Sequence, residues 1–102
     1  MARTRLSAAE VDEGLAALPG WETGSGRDGI AREFAFGTYS EALGFVVRLA
    51  AAAEAADHHP AILWTYTQVR VTWSTFDAGG ITQRDLAMAA ATDGLAGARP
   101  GG

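Results

Sequence analysis

The segment Glu54-Ala55-Ala56-Asp57-His58-His59-Pro60 decides how this chain is read. It holds both histidines of the 102-residue protein, side by side, with a carboxylate one turn upstream and a proline directly after. Proline disfavours helical geometry in the residue before it, so a helix entering this segment must end close to His59. The run that enters has a helical period. Thr38 and Glu41 have the spacing of a capping box, in which each side chain satisfies a free backbone N–H. Leu43, Val47 and Ala50 define a stripe expected to be buried, flanked by Val46 and Ala51. Steps of four carry that stripe to Glu54 and then His58, which places these two side chains inward, one turn apart and able to touch.

Downstream of Pro60 the period changes to two. Residues 63–66 and 69–75 read as strands joined tightly at Thr67-Gln68, with Val69, Val71 and Trp73 facing one way and Arg70, Thr72 and Ser74 the other. Gly79-Gly80 breaks the chain, and Thr82 with Asp85 repeats the capping pattern for a helix running to about Thr92. Upstream, Ser7 and Glu10 open a first helix with Val11, Leu15 and Leu18 on one side, and Pro19-Gly20 closes it. Residues 21–25 and 30–36 read as a hairpin around Gly26-Arg27-Asp28-Gly29, with Ile30, Arg32, Phe34 and Phe36 sharing a face.

The order is α-β-β-α-β-β-α. It predicts an α+β fold: a four-stranded antiparallel sheet with three helices on one face. One domain over residues 1–102 is expected, with 1–6 and 95–102 flexible.

Composition narrows the function. Half the residues are apolar and a fifth charged, as in soluble domains, and the net charge of −4 comes with no basic run, so neither nucleic acid nor an anionic membrane is an expected partner. Without cysteine there is no disulfide, thiolate nucleophile or thiolate metal site. The N-terminus lacks the apolar core of a secretory signal and no run is long enough to span a bilayer, so a cytoplasmic protein is expected.

Two adjacent histidines can take and give protons near neutral pH, and a carboxylate at Glu54 could hold the His58 ring in one tautomer. The structural alternative is a pair of histidines complementing a helix C-terminus. A metal site is not expected, because neighbouring helical histidines project about 100° apart and no third histidine completes a shell. Asp85 stands where a capping carboxylate belongs. Trp21, Trp64, Tyr66 and Trp73 suit a core, although a flat heteroaromatic ligand would use such faces.

Taken together, Glu54-x-x-x-His58-His59-Pro60, five residues, Tyr66, nine residues, Phe76, eight residues, Asp85 resembles the signature of the pterin-4a-carbinolamine dehydratases. Gly20-Trp21, Arg27-Asp28, the Phe-rich second strand, Asp57, Ser74-Thr75 and Gly80-Ile81-Thr82-x-x-Asp85 extend the resemblance over about two-thirds of the chain. It implies dehydration of 4a-hydroxytetrahydropterin to quinonoid dihydropterin, serving aromatic amino-acid hydroxylases, by a homodimer or homotetramer that needs no cofactor and no metal. By position, His58 would be an acid/base residue oriented by Glu54, His59 would chiefly bind the pterin, Trp21 would line the pocket and Asp85 would support it. Family-like proteins also serve as non-catalytic modules, as dimerisation cofactors of a transcription factor or as Rubisco assembly factors.

One position departs from the resemblance. The family has a third histidine after Ser-Thr, where this chain has Phe76, counted here with the substrate-binding residues. Phenylalanine moves no proton, and loss of one general acid or base typically costs on the order of 10²–10⁴ in rate. Asp77, next in sequence, is expected to point to the opposite face if the strand continues.

Overall fold

The computed structural model describes residues 4–24 and 28–97. Its elements are α1 (Ala8–Leu15), β1 (Glu22–Thr23), β2 (Ile30–Ala35), α2 (Tyr39–Ala56), β3 (Ala61–Thr65), β4 (Gln68–Trp73) and α3 (Gln83–Gly97), with a 3₁₀ turn at Phe76–Ala78 before α3. The strands form one antiparallel sheet in the order β1-β2-β4-β3. This is the α+β order expected from the sequence. Ser25, Gly26 and Arg27 of the anticipated first turn lie outside the described residues.

Register explains which face packs. Ile30 pairs with Trp73, Arg32 with Val71 and Phe34 with Val69, so these alternate residues share one side of the sheet. On that side they meet Val11 of α1, Phe45 and Leu49 of α2 and Ala89 of α3 in a single buried cluster. Arg32 belongs to the same side: its guanidinium lies over the Phe34 ring and its Nη1 donates to Asp93 of α3. The β3–β4 hairpin turns at Tyr66-Thr67, one residue earlier than expected, because Tyr66 takes the left-handed backbone (φ 52°) that a two-residue turn requires.

The caps hold, with one variation. Ser7 and Glu10 form a complete capping box. At α2 the Thr38 hydroxyl accepts from the Glu41 N–H, but the Glu41 carboxylate reaches past Thr38 to the N–H of Gly37. At α3 the Asp85 carboxylate returns to the N–H of Thr82, and the Thr82 hydroxyl accepts from the N–H of Arg84.

Two expectations need correction. The buried stripe of α2 is Ala42, Phe45, Leu49 and Ala53, whereas Leu43 and Val47 are 45% and 58% exposed and Ala50 is exposed too. The helix is rotated by one residue, about 100°, from the anticipated face. The reason is aromatic: Phe45 packs between Phe34 and Phe36, each with ring centroids 5.1 Å away. Next, α3 does not stop near Thr92 but runs to Gly97, because Leu95 and Ala96 pack on the core and the Leu95 carbonyl accepts from Arg48. Leu6, ahead of α1, packs on the core and donates its N–H to the Ile81 carbonyl.

Candidate active site

The end of α2 sets the site. Helix α2 closes at Ala56, and Asp57 adopts the left-handed conformation (φ 52°, ψ 43°). The N–H of His58 then reaches back to the Ala53 carbonyl at 3.1 Å, the six-to-one bond of a Schellman turn. Arg84 of α3 supplies the remaining donors, its Nη2 lying 3.2 Å from the Ala56 carbonyl and 3.1 Å from that of Asp57. Terminal carbonyls that the helix cannot satisfy are thereby paired.

This reversal separates the two histidines. His58 is no longer on the helix, so the four-residue step from Glu54 does not apply to it. It turns inward, where its ring stacks against Trp73 (5.3 Å between centroids, 29°) and its Nε2 lies 2.7 Å from Oδ1 of Asp85. His59 folds back along the outside, and its Nε2 meets Oε1 of Glu54 at 2.8 Å. The expected Glu54–His58 pair is therefore replaced by two pairs, His58 with Asp85 and His59 with Glu54. They occupy opposite environments: Asp85 is 0% exposed, and the Glu54 side chain is 83% exposed.

Asp85 is held by a directional network. Its Oδ2 accepts from the Thr82 N–H at 2.9 Å and from the Thr75 hydroxyl at 2.8 Å. The Thr75 oxygen in turn sits 2.9 Å from the Thr82 hydroxyl, which takes the N–H of Arg84. With Thr75 donating to the carboxylate, the Thr82 hydroxyl donates to Thr75, and every proton in the chain is placed. Two donors on Oδ2 keep Asp85 in the acceptor role, so Nε2 of His58 carries the hydrogen between them. No buried side-chain nitrogen or oxygen among the described residues lacks a partner, so the other ring nitrogen, Nδ1, is left to the open side of the ring.

That open side is a cleft of about 310 Å³ bounded by Asp57, His58, His59, Phe76, Asp77 and Arg84, with Ser74 and Thr75 at its floor. Its size falls at the lower end for small-molecule sites. Phe76 is 98% exposed and also borders a neighbouring hollow of about 220 Å³, so it stands as a wall between the two. Strand β4 ends at Trp73 and the chain passes into the 3₁₀ turn, which brings Asp77 to the same cleft rather than to the opposite face. A slightly larger hollow of about 340 Å³ lies beside Arg32 and Asp93, but it contains no histidine and its ion pair is internally matched. The histidine-lined cleft is therefore the candidate site.

Of the residues singled out from the sequence, His58, His59 and Phe76 border the cleft, while Asp85 and Glu54 reach it through the histidines. Trp21 does not join them. It is buried with its indole N–H on Asp93, eight residues beyond Asp85 on α3 and so about 12 Å along that helix. Arg84 carries no signal in the sequence, and Thr75 and Thr82 stand out there only in the resemblance and in a helix cap, since nothing in their spacing announces a partner across the fold. Among the described residues no three His, Cys, Asp or Glu side chains converge as a metal shell would require, and no helix is long and apolar enough to cross a membrane.

Fold and site together define an α+β domain with two imidazoles, each paired with a carboxylate, at the end of its longest helix. The chain belongs to the pterin 4 alpha carbinolamine dehydratase family, whose profile matches residues 4–95. A protein of Rhodopseudomonas palustris (strain HaA2) that carries pterin-4-alpha-carbinolamine dehydratase as a provisional name is 46% identical over 93 residues, covering 91% of this chain and 92% of that one. The crystal structure of a transcriptional coactivator/pterin dehydratase from Brucella melitensis superposes with a TM-score of 0.88 at 40% identity, over 91% of this chain and 99% of that one. A pterin dehydratase-like protein identified as a RuBisCO assembly factor in the alpha-carboxysome superposes with a TM-score of 0.68 at 31% identity, over 78% and 93%.

Proposed function

We propose that this protein dehydrates 4a-hydroxytetrahydropterin to the quinonoid dihydropterin. The observation that carries the reading is the buried His58–Asp85 pair at 2.7 Å, opening on a cleft of small-molecule size. The 4a-hydroxyl leaves as water while N5 gives up a proton. His58, with Nε2 committed to Asp85, presents Nδ1 as the acceptor. Asp85 thus takes the orienting role that the sequence suggested for Glu54. The flat bicycle lies against the Phe76 ring, whose nearly complete exposure otherwise leaves a large apolar face in water. His59 borders the same cleft as a further contact to the pterin.

The protein acts in the cytoplasm as a homodimer or homotetramer, in a pathway with an aromatic amino-acid hydroxylase. The exposed side chains of Tyr39, Leu43 and Val47 along α2 supply an apolar stripe for self-association. Light scattering on Val47→Glu, expected to give a smaller particle than wild type, tests that part.

A second reading, a non-catalytic binding or assembly module on the same fold, is favoured by Phe76 at the cleft wall and by the structural likeness to a RuBisCO assembly factor. The deciding experiment is a spectrophotometric dehydration assay of wild type, His58→Ala and Phe76→His. Wild type faster than background with His58→Ala at background supports the enzyme. Wild type at background, with a gain in Phe76→His alone, supports the module.

A further inference from the structure

We propose that the hollow beyond Phe76 is a second subsite, in which the carboxylate of Asp28 holds a short, uncharged, hydroxylated substituent at C6 of the pterin. The inference rests on the reading of the histidine cleft as a pterin site. It adds a place for the part of the substrate that lies outside the bicycle.

The hollow measures about 220 Å³ and is bounded by Asp28, Ser74, Thr75, Phe76, Gly79 and Gly80. Ser74, Thr75 and Phe76 also border the histidine cleft, so the two spaces share a floor and are parted by the Phe76 ring. In a pterin whose N5 faces Nδ1 of His58, C6 comes next, because it is bonded to N5. The C6 substituent therefore leaves the bicycle beside the reacting edge. The shared floor at Ser74 leads it past Phe76 into the second hollow.

The groups left free in that hollow select the chemistry. The Gly79 N–H is spent on the Phe76 carbonyl, and Gly80 exchanges N–H and carbonyl with Thr75. The Thr75 hydroxyl donates to Asp85. Arg5 lies against Gly80 but does not line the hollow. An anionic arm would thus find no lining cation among the described residues, and it would meet the negative charge of Asp28. A hydroxylated arm fares better. Asp28, just ahead of β2, is an exposed acceptor, and Ser74 is a half-buried hydroxyl that can donate or accept. Together they suit neighbouring hydroxyl groups, while the Phe76 ring suits the carbon chain that carries them. The glycines leave the rest of the wall as bare backbone, which keeps space for that chain. Asp28 is then a specificity-determining residue: it reads the substituent and takes no part in the proton transfers.

The test is isothermal titration calorimetry with two non-reacting 7,8-dihydropterins that differ at C6, one carrying a 1,2-dihydroxypropyl group and the other a methyl. Each is titrated into wild type, Asp28→Ala and Asp28→Asn. The ratio of the two Kd values on one protein preparation cancels any loss of folded material. Wild type is expected to bind the dihydroxypropyl ligand about 10-fold more tightly than the methyl ligand. Asp28→Ala should cut the preference below about 2-fold by weakening the hydroxylated ligand alone, with the methyl ligand unchanged. Asp28→Asn, whose amide oxygen still accepts, should fall between them. A wild type that binds both ligands equally, or an Asp28→Ala variant that keeps the preference, overturns the subsite and leaves the pterin reading standing. A wild type that binds neither ligand removes both.

Discussion

Asp85 and His58, 27 residues apart in sequence, meet at 2.7 Å in the interior, and the carboxylate that orients the ring is the same one that caps α3. One oxygen serves the histidine and the other serves the helix. Replacement with the neutral isostere should separate these roles. Asp85→Asn can keep an oxygen on the Thr82 N–H but turns an amide N–H₂ toward Nε2, which forces the ring into the other tautomer. Dehydration is expected to fall by on the order of 10²-fold or more, with unfolding free energy lowered by about 1–3 kcal/mol. Steady-state kinetics beside urea unfolding measure the two effects; full activity in Asp85→Asn would contradict the orienting role.

Thr75→Val keeps the shape and removes the hydroxyl that joins Asp85 to Thr82. The Thr82 hydroxyl then loses its acceptor and Oδ2 one donor, both in a fully buried place. The expected cost is about 1–3 kcal/mol in the same unfolding experiment. Thr75→Ser, which retains the hydroxyl, should recover most of it.

The left-handed turn at Asp57 offers a gain rather than a loss. A non-glycine residue at φ 52° carries a steric penalty of roughly 1–2 kcal/mol, less for Asp than for most. Asp57→Gly is expected to raise stability by up to about 1 kcal/mol and Asp57→Val to lower it by about 1–2 kcal/mol. Thermal melts of the pair give the sign directly, and two variants shifting in the same direction would refute the strain at this turn.

The rotation of α2 is tested by two neighbours in the core region. Phe45→Ala empties a site between Phe34 and Phe36 and should cost about 3–5 kcal/mol. Leu43→Ala, on the exposed side, should fall within about 0.5 kcal/mol of wild type as a monomer. The reverse order would restore the stripe first expected from the sequence.

These contrasts show where local pattern is informative. The β hairpins, the three helix starts and the inward set Val69, Val71 and Trp73 are written in spacing of two, three or four residues, and the chain obeys it. Helix α2 was ambiguous because Ala, Leu and Val occupy several of its faces, and only the position of Phe34 and Phe36 on a strand chooses Phe45 as the inward residue. The pairing at the site was illegible for a related reason. Adding four residues presumes that the helix continues, and a single residue at φ 52° ends it between Glu54 and His58. His58 then takes a partner from α3, a choice made by tertiary geometry alone. Trp21 suits a core by its residue type and was expected in the pocket only through the resemblance; its indole N–H meets Asp93 inside the fold.

The hydrogen-bonded chain through Thr75, Thr82 and Asp85 joins the last strand to the last helix, and His58 enters it from the middle of the protein. Assembly of the candidate site therefore requires the last helix to be seated. A nascent chain that has formed its sheet but not seated α3 possesses both imidazoles but lacks the carboxylate that fixes the tautomer of His58 and the Arg84 side of the cleft. Loosening the first turn of the C-terminal helix should therefore release the His58 ring well before the protein unfolds.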